Sequence, residues 1–373
     1  MSNVFWCKTC LAMSTRNRIS FNEKGECNAC QWRMKKQNLD WKARKIELNK
    51  LLDKHRSNNG NFDCIVPVSG GKDGSYVSYN LKNKYGMNPL CVTVTPSLQL
   101  ELGKKNLENF INSGYTLLTI DANPETMRFL NKEGLCKIGF PYWGWLVAIQ
   151  TVPVKLAMQL GINLIFYGED GEVEYGGSTK TEKDPIYGVD YMKEIYCENS
   201  TYNSYNVILE SAKNQGYRDL EFFQFQDTKE SSKLEITHWS YFENWDPYRN
   251  YLVARENCGL KEAEGSNLGT FTNFAQNDQA LYSLHTYLMF LKYGFGRANQ
   301  DACIEIRRGA ISREQAINLV KLYDGLYPAE FHNLYLEYYQ MSNSEFQNVL
   351  DKWANKEILH KLDGKWTLKQ EIK

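Results

Sequence analysis

Residues 62–75, FDCIVPVSGGKDGS, limit the folds open to this chain more than any other feature. A short apolar run, 62–68, ends in Ser69-Gly70-Gly71-Lys72-Asp73-Gly74-Ser75 and passes into a segment with helical spacing. A run of that kind, bounded by a turn, reads as a strand buried on both faces, and such strands belong to parallel sheets covered by helices. Glycines at the strand end let the backbone turn tightly without Cβ clashes. Successive N–H groups there, followed by a helix N-terminus, make a nest for an anion, and phosphate is the expected ligand. The Walker spacing, with four residues between its first glycine and Gly-Lys-Ser/Thr, is absent here, as is G-x-G-x-x-G.

The sequence after the loop repeats the same kind of unit. Residues 75–85 read as a helix ending near Gly86, and 90–95 as a β-branched strand closed by Pro96. Leu98, Leu102, Leu107, Phe110 and Ile111 mark a helix, 116–120 a strand, and Pro124 a helix start, where its missing N–H costs nothing. Residues 146–160 have helical character despite Pro153, and 163–167 form the next apolar strand. Alternating strands and helices imply an α/β fold with a parallel sheet covered on both faces. Ligands of such sheets sit beyond the carboxyl ends of the strands. That nominates the glycine loop, Val94-Thr95-Pro96, and Gly168-Glu169-Asp170-Gly171. The acidic run Glu169, Asp170, Glu172 and Glu174 reads either as a magnesium site or as a solvated acidic loop.

The N-terminal part carries Cys7-Lys8-Thr9-Cys10 and Cys27-Asn28-Ala29-Cys30. Two C-x-x-C knuckles fit one tetrahedral Cys₄ zinc site of structural type, since four thiolates leave no open position for chemistry. Disulfides and an iron–sulfur cluster are the competing readings. Residues 18–25 between the knuckles read as a strand and turn of a zinc ribbon. From Asp40 to Arg56 runs a basic amphipathic helix, which is either a solvated exterior or an RNA-binding face.

Residues 176–245 are polar with many aromatics, Tyr187, Tyr202, Tyr205 and Phe223 among them, and read as an insertion covering the site. Beyond Trp245 the pattern turns helical, with candidates at 277–293, 301–308, 312–323 and 344–353; Ser312-Arg313-Glu314-Gln315 resembles a capping box one position offset. Residues 292–297, KYGFGR, and Arg307-Arg308-Gly309 either grip an anionic group or form interdomain salt bridges. The expected division is 1–38 zinc ribbon, 39–175 nucleotide domain, 176–245 covering insertion and 246–373 helical domain. Lysine plus arginine and aspartate plus glutamate both number 44, so no net charge draws the chain to nucleic acid. No apolar stretch approaches the ~20 residues of a membrane helix, and no signal-peptide pattern is visible, so a cytoplasmic protein without membrane partners is expected. The five histidines show no metal spacing.

Ser69-Gly70-Gly71-Lys72-Asp73 resembles the pyrophosphate loop, SGGxDS, of the PP-loop ATPases, with Gly74 where that pattern has serine and a hydroxyl only at Ser75. The order of motifs, two cysteine knuckles, SGGKDGS, GEDGEVEYGG, KYGFGR and RRGAISREQA, resembles the N-acetyl sugar amidotransferases of that superfamily. These enzymes make acetamidino sugars for surface polysaccharide or flagellin, such as pseudaminic acid derivatives. The resemblance implies ATP cleavage between the α and β phosphates, with Lys72 and Asp73 in catalysis and Asp73 on Mg²⁺. It implies nucleotide contacts from Ser69 to Ser75 and at Val94, Thr95, Gly168 and Glu169. An acetamido sugar would become acetamidino through an adenylated imidate, with ammonia from a separate glutaminase subunit and its channel partner. One rival is a PP-loop tRNA thiolase, which needs catalytic cysteines and a basic face. Here Cys64, Cys91, Cys136, Cys197, Cys258 and Cys303 stand singly. Another is a non-enzymatic, zinc-bearing nucleotide sensor, motivated by Gly74 alone.

Overall fold

The apolar run before the glycine loop is β1 (Cys64–Pro67), the inner strand of the molecule's main sheet. The computed structural model describes residues 4–197, 204–225 and 228–372; Tyr202 of the aromatic stretch lies outside them. β1 pairs in parallel with β2 (Pro89–Val94) on one side and β4 (Leu164–Tyr167) on the other. β3 (Leu117–Ile120) continues beyond β2, and β6 (Glu235–His238) beyond β4, both parallel. A two-residue β5 (Ile186–Tyr187) closes that edge antiparallel. The order among the described residues is β3-β2-β1-β4-β6-β5. The chain winds one way from β1 to β3 and the other way from β4 onward, which opens a crevice at the carboxyl ends of β1 and β4.

Strand alternation divides the apolar side chains between two cores. Ile65, Leu90, Val92, Val94 and Ile165 face the larger one, which holds α5 (Pro124–Ile138), α6 (Trp143–Leu160) and the C-terminal helices. Cys64, Val66, Cys91, Leu164 and Phe166 face the other, beneath α2 (Trp41–His55), α3 (Lys72–Tyr79) and α4 (Glu101–Asn112). Apolar on almost every side, α6 is buried by the sheet and α5 together.

The structure departs from the sequence reading at several points. α3 starts at Lys72, three residues earlier than expected, and passes into a π-helical turn over Asn80–Lys84. Across residues 18–25, where a strand was expected, there is an isolated bridge from Phe21 to Cys27 and no strand. Residues 176–245, read as a cover, supply β5 and β6 of the main sheet. The strand ITH of β6 is too short and too mixed in polarity to stand out locally; its burial comes from lying beside β4. Downstream helices run Leu281–Tyr293, Arg297–Arg308, Arg313–Tyr323 and Asn343–Trp353, and a hairpin of β7 (Leu359–Leu362) and β8 (Lys365–Leu368) follows them. Ser312 and Gln315 form a full capping box without offset. Among the described residues no helix is long and apolar enough to cross a membrane.

One buried amide ties the larger core together. Oδ1 of Asn131, on α5, accepts from the N–H groups of Gly144 and Trp145 at 2.8 and 3.3 Å, which are orphan donors of the first turn of α6. Its Nδ2 donates to the Tyr338 hydroxyl at 2.9 Å. Asn131→Ala therefore strips a cap and leaves enclosed donors unpaired. Urea denaturation should show a loss of about 2 kcal/mol.

Candidate functional site

The crevice at β1 and β4 contains a cavity of about 360 Å³. Its floor is the loop Ser69–Gly74, which turns directly into α3, so that loop and first-turn N–H groups border one space. Gly70 has φ +78°, and a Cβ there would lie 2.7 Å from the Leu107 nitrogen of α4. Only glycine meets both demands. A Cβ on Gly74 would come 2.9 Å from the Pro67 carbonyl oxygen, which gives the glycine at that position a steric reason. Glu169, just past β4, forms another wall, and residues 274–278, Tyr282, His285 and Arg297 close the opposite side.

Charges are concentrated around the loop. Lys72 Nζ donates to Asp73 Oδ2, and Asp73 Oδ1 accepts from Asn250 Nδ2 at 2.9 Å and Trp245 Nε1 at 3.4 Å. Burial alone would raise the Asp73 carboxyl; the adjoining ammonium outweighs it and holds Asp73 below the usual range. Lys72 is held above its ordinary value, the carboxylates of Asp73 and Glu169 outweighing burial. Glu169 is pushed up to about 7, by burial first and then by the negative charge of Asp73. Arg297 borders the same cavity and donates from Nε to Asp301 at 2.8 Å. Lys72 and Arg297 both border the loop's cavity, each paired with a carboxylate, Asp73 and Asp301.

The expected site residues divide into those that meet here and those that do not. Ser69 through Gly74 and Glu169 border the cavity. Gly168 stands behind Asp73, 2.7 Å from its Cβ if given a Cβ of its own. Ser75 is fully enclosed with its hydroxyl unpartnered and is not part of the wall. Val94 and Thr95 do not border it either; the Val94 carbonyl accepts from Trp145 Nε1 at 2.9 Å, and the Thr95 N–H is used by Ile120. Of the acidic run only Glu169 faces the loop. Asp170 caps α7 (Gly171–Tyr175) and accepts from Thr181, Glu172 pairs with Arg18 at 2.6 Å, and Glu174 pairs with Lys36 at 2.8 Å. Arg307 is bound to the Glu174 carbonyl, and Arg308 to Glu305 and Asp246.

Sequence reasoning missed Asn250, Trp245, Asp278 and His285, which come from segments without a local motif. Asp278 lines the cavity with its Oδ2 enclosed and unpartnered, and burial pushes its carboxyl up to about 7.

The four knuckle cysteines converge away from this cavity. Their sulfurs lie within 4.8 Å of one another, with Cys7–Cys30 at 3.8 Å and Cys10–Cys27 at 3.7 Å. A tetrahedron with Zn–S bonds of about 2.3 Å has sulfur edges of about 3.8 Å, so the cluster has the dimensions of a zinc site. Thiols of Cys27 and then Cys30, aimed at Cys10, hold its Sγ well below the usual thiol range.

These features define an α/β protein with a glycine-rich loop at its topological switch point and a buried four-cysteine cluster. Residues 268–373 match the family described as LPS biosynthesis protein WbpG-like, C-terminal domain. The matched segment supplies residues 274–278, Tyr282, His285 and Arg297 of the cavity wall. The chain is also 32% identical over 107 residues to an uncharacterised protein, MJ1599, of Methanocaldococcus jannaschii; the match spans 28% of this chain and 37% of that relative.

Asp278 makes stability depend on pH. Its carboxyl titrates near 7 in the fold, against an ordinary value of 3.8. Between those values the folded state keeps a proton that the unfolded state releases, so stability falls as pH rises from about 4 to about 7 and stays lower above. Asp278→Asn removes the ionisation. Its melting temperature should exceed that of the wild type at pH 8 and approach it at pH 4, the gap corresponding to at most about 4 kcal/mol.

Proposed function

We propose that this chain is an ATP-dependent, AMP-forming amidotransferase that converts an acetamido group of a sugar into an acetamidino group. The observation that carries the reading is the loop Ser69–Gly74 facing, across one cavity, the segment similar to an LPS biosynthesis protein. In this reading the N–H groups of the loop, with Lys72 and Arg297, bind the phosphates of ATP. The amide oxygen attacks the α-phosphorus, pyrophosphate leaves, and an adenylated imidate forms. Ammonia adds to the imidate carbon, and AMP departs with the former amide oxygen. Asp278 takes the proton that the incoming ammonia loses, a task suited to a carboxyl poised near 7. The chain's part is alignment and charge stabilisation at phosphorus, without a nucleophilic side chain.

Asp73 and Glu169 would hold a magnesium ion, being two carboxylates at one cavity of which Glu169 is raised by burial and then by the charge of Asp73. When bound, the ion neutralises phosphate charge. Asp73 would then exchange its Lys72 contact, leaving the ammonium for phosphate. The four-cysteine cluster would hold structural zinc. The divisions 1–38, 39–175, 176–245 and 246–373, a cytoplasmic setting and a separate glutaminase with its channel partner belong to the same proposal.

Two measurements test it. Purified protein should contain about one zinc per chain, and stripping it with a chelator should lower the melting temperature, because the single site closes the N-terminal segment. An iron–sulfur absorption band without zinc would refute this assignment. Incubated with ATP, magnesium, ammonia and acetamido sugars labelled with heavy oxygen in the acetyl group, the protein should release AMP carrying the label. Asp73→Asn should cut that release by at least about a hundredfold while leaving the fold intact. ADP as product, or unlabelled AMP beside a true amidine, would sink the mechanism.

A further inference from the structure

A second cavity, of about 290 Å³, lies on the other side of His285, Met289 and Gln300, which border both chambers. Its lining sets the partly exposed aromatics Phe140 and Tyr293 beside three cations, Arg16, Arg18 and Lys292, with the buried Trp143 contributing little surface. The cations are not equivalent. Arg18 is engaged by Glu172 through Nε and Nη2 at 2.8 and 2.6 Å, and Glu172 also accepts from the Ser178 N–H. Lys292 donates to the Ile138 carbonyl at 2.7 Å, a neutral acceptor. Arg16 has neither kind of contact: its Nε is enclosed without a hydrogen-bond partner, its guanidinium lies over the Tyr175 ring at 5.8 Å, and the charge of Glu172 reaches it without a direct ion pair among the described residues.

Arg16 is held in place by its neighbours in sequence. The hydroxyl of Thr15 donates to the Tyr293 carbonyl at 2.6 Å, and Asn17 Nδ2 to the Tyr293 hydroxyl at 3.1 Å. The segment between the cysteine knuckles is thus pinned to the cavity rim on both sides of Arg16. His285, also on the lining, is neutral: burial first, then the charges of Lys292 and Arg297, push it down to about 3. Among the described residues the lining thus sets three cations against one carboxylate, Glu172, which Arg18 already engages, an arrangement that is costly unless a ligand supplies further negative charge.

We propose that this second cavity is the acceptor chamber, in which Arg16 grips an oxyanion, carboxylate or phosphate, on a single sugar whose apolar face rests on Phe140 and Tyr293. The amide of that sugar points past His285 toward the phosphate loop. The volume suits one substituted monosaccharide and is small for a nucleotide-linked one. This assignment rests on the amidotransferase reading for its substrate, but its test needs no turnover.

Affinities of the wild-type protein are measured by calorimetry for N-acetylneuraminic acid, N-acetylglucosamine 1-phosphate and neutral N-acetylglucosamine. At least one charged probe should bind about tenfold or more tightly than the neutral one, and which of the two does so separates carboxylate from phosphate. Arg16→Met should remove that preference, and Arg16→Lys should keep part of it, with ATP affinity unchanged in both as the check on folding. Equal affinity for charged and neutral probes, a preference that survives Arg16→Met, or no binding of either charged probe at millimolar concentration overturns the proposal. If Arg16→Met loses ATP affinity, the Arg16→Lys variant and the wild-type preference decide. A preference dependent on Arg16 without AMP formation would remove the amidotransferase reading and leave the chamber. AMP formation from neutral sugars, indifferent to Arg16, would do the reverse.

Discussion

Close backbone approach at the carboxyl end of β1 is the constraint on which the rest of the structure depends. The loop passes so near α4 at Gly70, and α3 so near β1 at Gly74, that neither position has room for a side chain. Gly168 lets the end of β4 come against Asp73 in the same way. These contacts bring the start of α3 to the point where the strand order reverses, so the open N–H groups of a helix end face a crevice already made by topology. A side chain at any of the three would move α3 away from the sheet and widen the site.

The charges around that crevice depend on one another. Lys72 and Asp73 are adjacent in sequence and paired, while Asn250 and Trp245 hold the other oxygen of Asp73 from a different part of the chain. Removing one member of such a buried set leaves its partner unsatisfied, a larger cost than the pair's own contribution. The helix Pro247–Cys258, which carries Asn250, packs along α3, so it positions the loop's carboxylate although it lies beyond the strands of the main sheet.

The N-terminal segment is joined to the site through the acidic stretch after β4. Arg18 binds Glu172, Asn28 donates to the Gly177 carbonyl at 2.8 Å, and Trp32 and Lys36 both reach Glu174. Carboxylates that looked available for a metal are the socket for the cysteine-bearing segment. That docking in turn carries Arg16 to the rim of the second cavity.

The strand–glycine loop–helix, the alternation of strands with helices and the four convergent cysteines were legible in the sequence, because each rests on local pattern: an apolar run, residues free of Cβ, thiols at fixed spacing. So was Glu169, through its place after a strand. Partners and roles were decided by tertiary structure. Val94 and Thr95 sit at a strand end yet do not border the cavity, and Trp145 of α6 donates to the Val94 carbonyl. Asp170, Glu172 and Glu174 are consumed by structural contacts, whereas Asp278, His285 and Arg16 gain their character from enclosure by residues far away in sequence. Spacing along a chain records which groups are available. Whether a charge is paired, buried or left facing a cavity depends on what packs against it, and that is set only when distant segments meet.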